Sequence, residues 1–240
     1  MKIDILTLFP EMFKGVFDES MIKIARGKGI VDITVHNLRD WTHDRHRTAD
    51  DKPYGGGPGM VMKVEPVDEA VTALKGCSEE GTTPVVVLLT PQGRRFNQRM
   101  AKAMASLEHI IFICGHYEGV DERIRGLVDM EASIGDYILT CGEIPAMVIC
   151  DAVIRLVPGV LGDEECLIDE SFENGILEYP QYTRPAEYKD RRVPEVLLSG
   201  DQKKINEWRK GQALVRTRER RPDLLDGEET SEDETEDKRP

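Results

Sequence analysis

Hydrophobic residues form several short runs along this chain, and each run is followed by glycine, proline or polar residues. Residues 2–8 (KIDILTL), 84–90 (PVVVLLT) and 109–115 (HIIFICG) are nearly uninterrupted, as strands buried on both faces of a parallel sheet are. Residues 30–36 (IVDITVH) alternate as a strand does, and 136–140 (DYILT) predict one more strand. The pattern predicts a parallel sheet in the first part of the chain.

Between these runs, apolar residues recur at helical spacing. Helices are predicted over 11–26, 64–74 and 143–157, with a helical stripe near 96–107. In the first helix the predicted inward positions are Met12, Val16, Met21 and Ile24. Strands that alternate with helices indicate an α/β fold whose sheet is covered on both faces.

The composition changes at residues 158–159, where Pro-Gly breaks the last apolar helix. We therefore predict a first domain over 1–158, a polar, flexible linker over 159–178, a small helical domain over 179–222, and an acidic tail over 223–240. The composition of the tail predicts disorder.

Charge is distributed unevenly along the 240 residues, whose net charge is −13. Residues 184–222 carry twelve Lys and Arg against six acids, whereas residues 223–240 carry nine acids against two bases. A basic module on an acidic body is compatible with a polyanionic partner such as nucleic acid, although many basic helices are only solvated faces.

The cysteines and apolar runs indicate the compartment. Five cysteines without C-x-x-C spacing argue against a disulfide framework and a structural zinc site, and they favour a reducing environment. No run approaches the length of a membrane span, and the N-terminus lacks the pattern of a secretory signal. The sequence predicts a cytoplasmic protein without a membrane partner or a metal-ligand set.

Residues 50–60 (DDKPYGGGPGM) place four glycines in a loop without regular period that begins at residue 37. A phosphate cradle of a nucleotide hydrolase would be followed by Gly-Lys-Ser/Thr, and Met60 follows here instead. Pro58 also lacks the N–H that such a cradle uses. The hydrolase hypothesis fails, but a loop of this length is expected to be functional.

Three predicted strands end in glycine-containing polar turns, at 90–93 (TPQG), 114–119 (CGHYEG) and 140–143 (TCGE). Ligands of open parallel sheets bind at the carboxyl ends of strands, and glycine lets them approach the backbone. None of the turns matches G-x-G-x-x-G, so a dinucleotide site is not supported. The turns predict a ligand site, although any one of them could be an ordinary β–α connection.

Isolated titratable residues leave alternatives open. His43 and His46 suggest metal or base chemistry, but hydrogen bonds within the loop or phosphate contacts explain them more simply. Asp151, one helical turn before Arg155, suggests an ion pair. Cys114 and Cys150 lie in apolar runs and are expected to be inert core residues.

Taken together, eight motifs give the chain a close resemblance to bacterial tRNA (guanine-N1)-methyltransferases. The resemblance runs from residue 3 to about residue 222 and keeps the order and spacing of the motifs. They are LFPEMF (8–13), THDRHRT-x-DD-x-PYGGGPGM (42–60), PQGR (91–94), CGHYEG-x-DER (114–123), SIGDYIL (133–139), GEIPAM (142–147), PGVLG (158–162) and YTRP (182–185).

The resemblance implies methyl transfer from S-adenosylmethionine to N1 of the guanine immediately 3′ of the anticodon in tRNA. It implies a SPOUT-class fold, in which the chain near residues 85–145 forms a deep trefoil knot, a rare exception to the rule that chains do not thread their own loops. The knotted segment would bind the donor in a bent conformation, with backbone groups holding the adenine. The implied donor positions are Leu88, Leu89, Thr90, Pro91, Gly115, Tyr117, Glu118, Ile134, Gly135, Asp136, Tyr137, Ile138, Leu139, Cys141, Gly142 and Pro145.

The resemblance also implies an obligate homodimer whose active site lies at the interface, where the partner's linker and basic domain grip the tRNA. It assigns Glu170 as the base that removes the N1 proton and Arg155 as the group that stabilises charge on O6. It suggests a requirement for Mg²⁺. In the loop over 40–60, the positions expected to contact phosphate are Arg45, Arg47 and Lys52.

This chain departs from the family pattern at three positions. Glu170 stands where the family usually has aspartate, which makes the adjacent Asp169 a rival for the base. Cys141 replaces a frequent glycine, and His116 a common arginine. The alternative function is a non-catalytic RNA-binding homologue of the same fold, which would lack the donor turns or the pair Glu170 and Arg155.

Overall fold

The computed structural model describes residues 1–79, 81–162 and 167–226. Contacts divide the chain into two compact units, Met1–Gly162 (unit 1) and Asp163–Pro240 (unit 2). No helix within the described ranges combines the length and the apolar composition that crossing a membrane requires.

Unit 1 is an α/β unit with a central parallel sheet. In chain order its elements are β1 (Lys2–Thr7), α1 (Ser20–Gly27), β2 (Asp32–Asn37), β3 (Asp50–Asp51), β4 (Val61–Met62), α2 (Val64–Gly76), β5 (Val85–Arg95), α3 (Gln98–Ala105), β6 (His109–Cys114), β7 (Met130–Ser133) and α4 (Glu143–Ile154). The sheet has the order β2-β1-β6-β5-β7 with all pairs parallel, while β3 and β4 form a separate antiparallel pair. Short 3₁₀ helices span Pro10–Phe13, Leu38–Trp41 and Glu122–Leu127.

Both faces of the sheet are covered, as the apolar runs predicted. Along β5, Val87 belongs to the core on the face of α1, α3 and α4, whereas Val86 and Leu88 belong to the core on the face of α2. Every residue of β6 is buried. This double burial explains why the central strands lack polar alternation and were recognisable as strands from the sequence.

The predicted helix over 11–26 is wrong. The structure has the 3₁₀ helix Pro10–Phe13 and then α1 from Ser20, because Gly15 adopts a φ of +93° that a continuous helix cannot contain. The predicted inward positions are also wrong for three of four, since Met12, Val16 and Ile24 are 40%, 42% and 46% exposed. Met21 packs against the core, and the buried residues are Phe13, Phe17, Ile22 and Ala25.

The predicted strand over 136–140 is wrong as well. The strand is β7, and residues 134–142 form an irregular segment after it. Gly135 has a φ of +148°, and the N–H of Tyr137 donates to the Gly135 carbonyl at 2.9 Å, which turns the chain away from the sheet.

Strand β5 runs past its predicted end at residue 90. Leu89 and Arg94 both pair with Ala132 of β7, so residues 90–93 form a bulge between them. The proline and glycine predicted to end the strand therefore lie in this bulge, at the carboxyl end of the sheet.

A buried carboxylate joins three strands of unit 1. Asp4 of β1 is 1% exposed and lies 2.6 Å from His36 Nε2 and 2.7 Å from His109 Nε2, with Lys2 Nζ at 3.2 Å. Burial alone would raise the pKa of Asp4, but hydrogen bonds from His36, His109 and Lys2 outweigh it and lower the pKa to about 2.

We expect Asp4→Asn to change the acid stability of the protein. A carboxyl whose folded pKa is below its ordinary 3.8 stabilises the fold above that value and loses this contribution as pH falls towards 2. The shift corresponds to about 2 kcal/mol. Urea unfolding between pH 7 and 2 should show a less steep loss of stability for Asp4→Asn than for the wild type. Asp32→Asn, at an exposed position of β2, is the control, and equal pH dependence of the two variants would contradict the prediction.

Unit 2 contains β8 (Glu187–Tyr188), β9 (Arg191–Arg192), α5 (Glu195–Leu198), α6 (Gln202–Arg220) and α7 (Asp223–Asp226), with β8 and β9 antiparallel. Within the predicted linker, residues 167–178 form a turn attached to α6, because the N–H of Leu177 donates to Thr217 Oγ1 at 2.9 Å. The predicted tail begins in α7, and residues 227–240 lie outside the described residues.

Candidate active site

A cavity of about 450 Å³ opens at the carboxyl ends of β5, β6 and β7. Its walls come from the bulge after Leu89, from residues 115–120 after β6, and from residues 132–142 after β7. Its size is that of a small-molecule site, and its position is where parallel sheets bind ligands. The three turns singled out in the sequence therefore converge on one site.

All but two of the donor positions implied by the resemblance line this cavity. Leu88 does not, because strand alternation turns it into the core on the α2 face while Leu89 faces the cavity. Asp136 does not either, since its carboxylate is 91% exposed and lies 3.8 Å from Arg95. Lining residues outside the implied set are Gln92, His116, Gly119, Val120, Glu122, Arg125, Ala132, Ser133 and Thr140.

Two glycines let backbone segments cross directly behind the cavity. The N–H of Gly142 donates to the Gly115 carbonyl at 2.7 Å, and a Cβ on Gly142 would lie 2.6 Å from the Gly115 nitrogen. A Cβ on Gly93 would lie 2.4 Å from the nitrogen of Ala132. Neither position has room for a side chain, because the obstructing atoms belong to the backbone.

Gly142→Ala is therefore expected to damage the cavity. The methyl group must push residues 114–115 away, and overpacking of this kind costs about 1–3 kcal/mol. If the cavity bears the strain, the affinity for the S-adenosylmethionine that the resemblance implies should fall by roughly tenfold or more. Gly126→Ala is the matched control, since a Cβ there meets nothing within 4 Å. Calorimetric titration and thermal unfolding of both variants check this. Equal affinity and equal stability in the two would show that the crossing tolerates a side chain.

The glycine-rich loop joins β3 to β4 and is attached to the cavity wall. Gly55, Gly56, Gly57 and Gly59 all have positive φ, which explains their residue type. The backbone of Met60 accepts from Glu118, Met62 donates to Gly119, and Met62 accepts from Asp121, at 2.9–3.1 Å. A Cβ on Gly59 would lie 2.3 Å from Glu118 Cγ. The loop thus packs directly on the segment that lines the cavity.

Aromatic residues fix the rim of the cavity beside this loop. The ring of His116 lies 4.8 Å from that of Phe9 and 4.7 Å from that of Tyr117. Tyr117 has a φ of +61°, an uncommon backbone conformation for a residue with a side chain. Burial raises the pKa of Tyr117, and so do the charge of Asp50 and a hydrogen bond to it. Tyr117 is therefore held in this conformation by the His116 ring and by the hydrogen bond with Asp50.

Arg125 is a lining residue that the sequence analysis missed. Its Nε donates to Glu122 Oε2 at 2.9 Å, and its other nitrogens bond to Glu131 and Gln92. The motif read from the sequence ended at Arg123, which instead pairs with Asp121. The 3₁₀ helix at 122–127 places Arg125, and not Arg123, in the cavity wall, which the sequence did not reveal.

A buried carboxylate supports the far wall. Glu143 is fully buried at the start of α4, and Thr7 Oγ1 donates to its Oε1 at 2.5 Å. Burial, together with Glu143, raises the pKa of the neighbouring Cys141 thiol. Cys141 has no positive φ, so the backbone accepts a side chain where glycine is frequent in the family. Cys114 and Cys150 are fully buried, which confirms them as core residues.

The two residues that the resemblance makes catalytic lie in different units. Arg155 is the half-buried residue that follows α4 in unit 1. Glu170 is half-buried in the turn of unit 2, and the adjacent Asp169 is exposed. This turn is closed by the N–H of Glu173, which donates to the Glu170 carbonyl at 3.2 Å.

The basic residues of the 40–60 loop are not equivalent. Arg45, Arg47 and Lys52 are all exposed, but Arg47 also bonds to the Asp40 carboxylate and to the Arg39 carbonyl. His43 Nε2 lies 2.7 Å from Glu69 Oε2, so this side chain pairs with helix α2 and not with another residue of the loop. Across the described ranges no group of three or more His, Cys, Asp or Glu is arranged to hold a metal ion.

Comparisons with known proteins agree on one family. The family described as "tRNA (Guanine-1)-methyltransferase TrmD" matches residues 1–227. Proteins named tRNA (guanine-N(1)-)-methyltransferase are similar to the chain: that of Dictyoglomus turgidum is 57% identical over 94% of this chain and 90% of its own length. That of Carboxydothermus hydrogenoformans is 60% identical over 94% and 87%, and that of Bacillus cereus 54% identical over 98% and 96%.

Proposed function

The chain belongs to the tRNA (guanine-1)-methyltransferase TrmD family, and from this premise we propose that it methylates N1 of the guanine immediately 3′ of the anticodon, with S-adenosylmethionine as the donor. It is a tRNA (guanine-N1)-methyltransferase and an enzyme of tRNA modification. The observation that carries the donor assignment is the cavity at the ends of β5, β6 and β7, which is lined by nearly all of the implied donor positions.

The residues present fit S-adenosylmethionine. The cavity volume suits a ligand of this size, and none of the lining residues between 133 and 142 is an acid, a lysine or an arginine, which suits a neutral adenine ring. Tyr137 and Ile138 are 54% and 81% exposed, so apolar surface is available to cover the ligand. When bound, the donor supplies an electrophilic methyl group.

We assign the remaining chemistry to Glu170 and Arg155. Guanine N1 carries a proton at neutral pH, so a carboxylate must accept it as the new N–C bond forms. Negative charge then develops on O6, where a guanidinium stabilises it. Glu170 is the better placed of the two adjacent acids in one respect: it is half-buried, whereas Asp169 is exposed.

The knot is supported by the close backbone crossings behind the cavity. Gly142 against Gly115 and Gly93 against Ala132 are close backbone approaches of the kind that a chain threaded through its own loop contains. We propose that residues near 85–145 form the trefoil implied by the family.

A homodimer is supported by apolar surface on unit 1. Phe9, Met12, Val16 and Ile24 are each between 38% and 46% exposed, so this part of unit 1 offers apolar surface that a partner could cover. A second copy of the chain would cover such a surface and bring its own linker to the active site.

tRNA binding is supported by charge. Residues 184–222 carry a net charge of +6, which suits phosphate contacts. Arg45 and Lys52 add exposed cations in the loop beside the donor cavity.

Mg²⁺ is usually held by one or two carboxylates together with substrate oxygens, so the Mg²⁺ requirement suggested by the family needs no dedicated protein cage. A cytoplasmic location stays a prediction from the cysteine pattern.

The test is methyl transfer from labelled S-adenosylmethionine to tRNA transcripts that carry guanine or adenine at the target position. We expect label on N1 of guanine alone. A protein that binds tRNA but transfers no methyl group would instead be the non-catalytic RNA-binding homologue. Retention of the donor turns, Arg155 and Glu170 argues against that alternative.

A further inference from the structure

Unit 2 contains a cavity of its own, of about 430 Å³, lined by segment 179–186, Val193 and helices α5 and α6. Its walls include three aromatic residues, Tyr179, Tyr182 and Trp208. The cavity is as large as a site for a small molecule or a single nucleotide, and nothing in the methyl-transfer chemistry above uses it.

Two of these rings present aromatic surface to the cavity. The ring centres of Tyr182 and Trp208 are 6.4 Å apart, with the planes inclined by 50°. Tyr182 is 50% exposed, so packing within unit 2 leaves half of its surface uncovered. Exposed aromatic faces are the usual platforms on which proteins stack unpaired nucleobases.

A guanidinium completes the wall. The Arg209 Cζ lies 4.8 Å from the ring centre of Tyr179, so the group stacks on an aromatic face. Its Nε is buried and has no hydrogen-bond partner within the part of the chain that the structure describes. A buried N–H without a partner is costly, and it marks a place where an acceptor from a ligand would be stabilised.

The surrounding charge selects the kind of ligand. Arg184 also lines the cavity, and the surrounding sequence 184–222 has a net charge of +6. Gln181 and Thr183 add an amide and a hydroxyl that can pair with the edge of a base. Aromatic faces, a guanidinium and a positive field together match a nucleotide of single-stranded RNA.

We propose that this cavity binds one unpaired nucleotide of the tRNA substrate, distinct from the guanine that is methylated. The base stacks on the exposed face of Tyr182, beside Trp208, and Arg209 Nε donates to an acceptor oxygen of the nucleotide. The inference rests on the proposed function, because it takes tRNA as the substrate.

Trp208 provides a direct probe. The chain has two tryptophans, so Trp41→Phe leaves Trp208 as the single reporter. A tRNA transcript should quench its fluorescence, because a base that stacks on Tyr182 lies beside the neighbouring Trp208 ring. Inorganic polyphosphate offers the same charge without bases and should not. Quenching by both polyanions, or an unchanged signal while filter binding shows that tRNA is bound, would overturn the proposal.

Matched variants test the individual groups. Tyr182→Ala removes a stacking ring and should weaken tRNA binding by about 5- to 150-fold, whereas Tyr182→Phe keeps the ring and should bind tRNA nearly as the wild type does. Arg209→Lys keeps the charge but lacks the Nε donor, and it should bind more weakly than Lys210→Gln, which removes an exposed charge outside the cavity. Equal affinities within each pair would overturn the proposal. If Tyr182→Ala does not fold, the response of Trp208 fluorescence to tRNA in the Trp41→Phe variant still tests whether a base binds in the cavity.

Failure of this inference is distinguishable from failure of the proposed function. If the Trp41→Phe protein methylates guanine but Trp208 does not respond to tRNA, only the nucleotide site is wrong. If no transcript is methylated, the proposed function is wrong, and the polyphosphate comparison still reports whether the cavity stacks bases.

Discussion

Replacing Glu170 with glutamine is expected to slow methyl transfer by about 10²- to 10⁴-fold, the usual contribution of a general base. The amide has nearly the same shape as the carboxylate but cannot accept the proton that guanine N1 must lose. Donor and tRNA affinities should change far less, because the proton moves only in the transition state. Single-turnover rates at saturating S-adenosylmethionine and tRNA measure the effect without interference from product release.

Asp169→Asn is the matched control for this experiment, because it makes the same chemical change one residue away. Asp169 is exposed, whereas Glu170 is half-buried in a hydrogen-bonded turn, so we expect the Asp169 variant to retain most of its rate. The reverse result, an inactive Asp169→Asn beside a nearly normal Glu170→Gln, would assign the base to Asp169. Equal and small losses in both would remove general-base catalysis by this turn altogether.

Arg155→Ala should raise the barrier to methyl transfer by about 3–4 kcal/mol, a loss of roughly 10²- to 10³-fold in rate. The guanidinium is expected to stabilise charge that appears on O6 only as N1 is deprotonated and attacked. The measurement is again the single-turnover rate, together with the dissociation constants of donor and tRNA. Arg99→Ala, which removes an exposed arginine of α3, controls for the change in net charge.

The form of the kinetic change decides the role of Arg155. A lower kcat with little change in KM is the expected result for a group that acts in the transition state. A raised KM for tRNA with an unchanged kcat would show that Arg155 only binds RNA. Arg155→Lys should recover part of the rate, because lysine restores the charge but not the paired donors of the guanidinium.

The central strands could be predicted from the sequence because burial on both faces requires apolar residues at nearly every position. Every residue of β6 is buried, and its run of apolar residues has no other explanation. Residues 136–140 have similar residue types, but there the apolar side chains serve the cavity instead of the core. Ile138, for example, is 81% exposed. Hydrophobicity alone does not distinguish apolar residues that line a ligand cavity from apolar residues that are buried in a sheet.

The turns that form the site could be predicted from the sequence, but the contacts between residues distant in the sequence could not. Glycines at strand ends indicated the three turns, because close backbone approach leaves few alternatives to glycine. The bulge over 90–93 was not predictable, since it depends on the pairing of Leu89 and Arg94 with the same residue of β7. Arg125 was missed for a related reason, as its partners Glu131 and Gln92 become neighbours only when the sheet is formed.

The backbone hydrogen bonds between residues 60–62 and 118–121 connect the glycine-rich loop directly to the wall of the donor cavity, so the two segments are expected to move together. A ligand that orders either side therefore does part of the ordering for the other. With RNA on the loop, as proposed, we expect the two substrates to bind cooperatively. Thermodynamic reciprocity then fixes the size of the effect in both directions: the factor by which tRNA tightens S-adenosylmethionine equals the factor by which S-adenosylmethionine tightens tRNA.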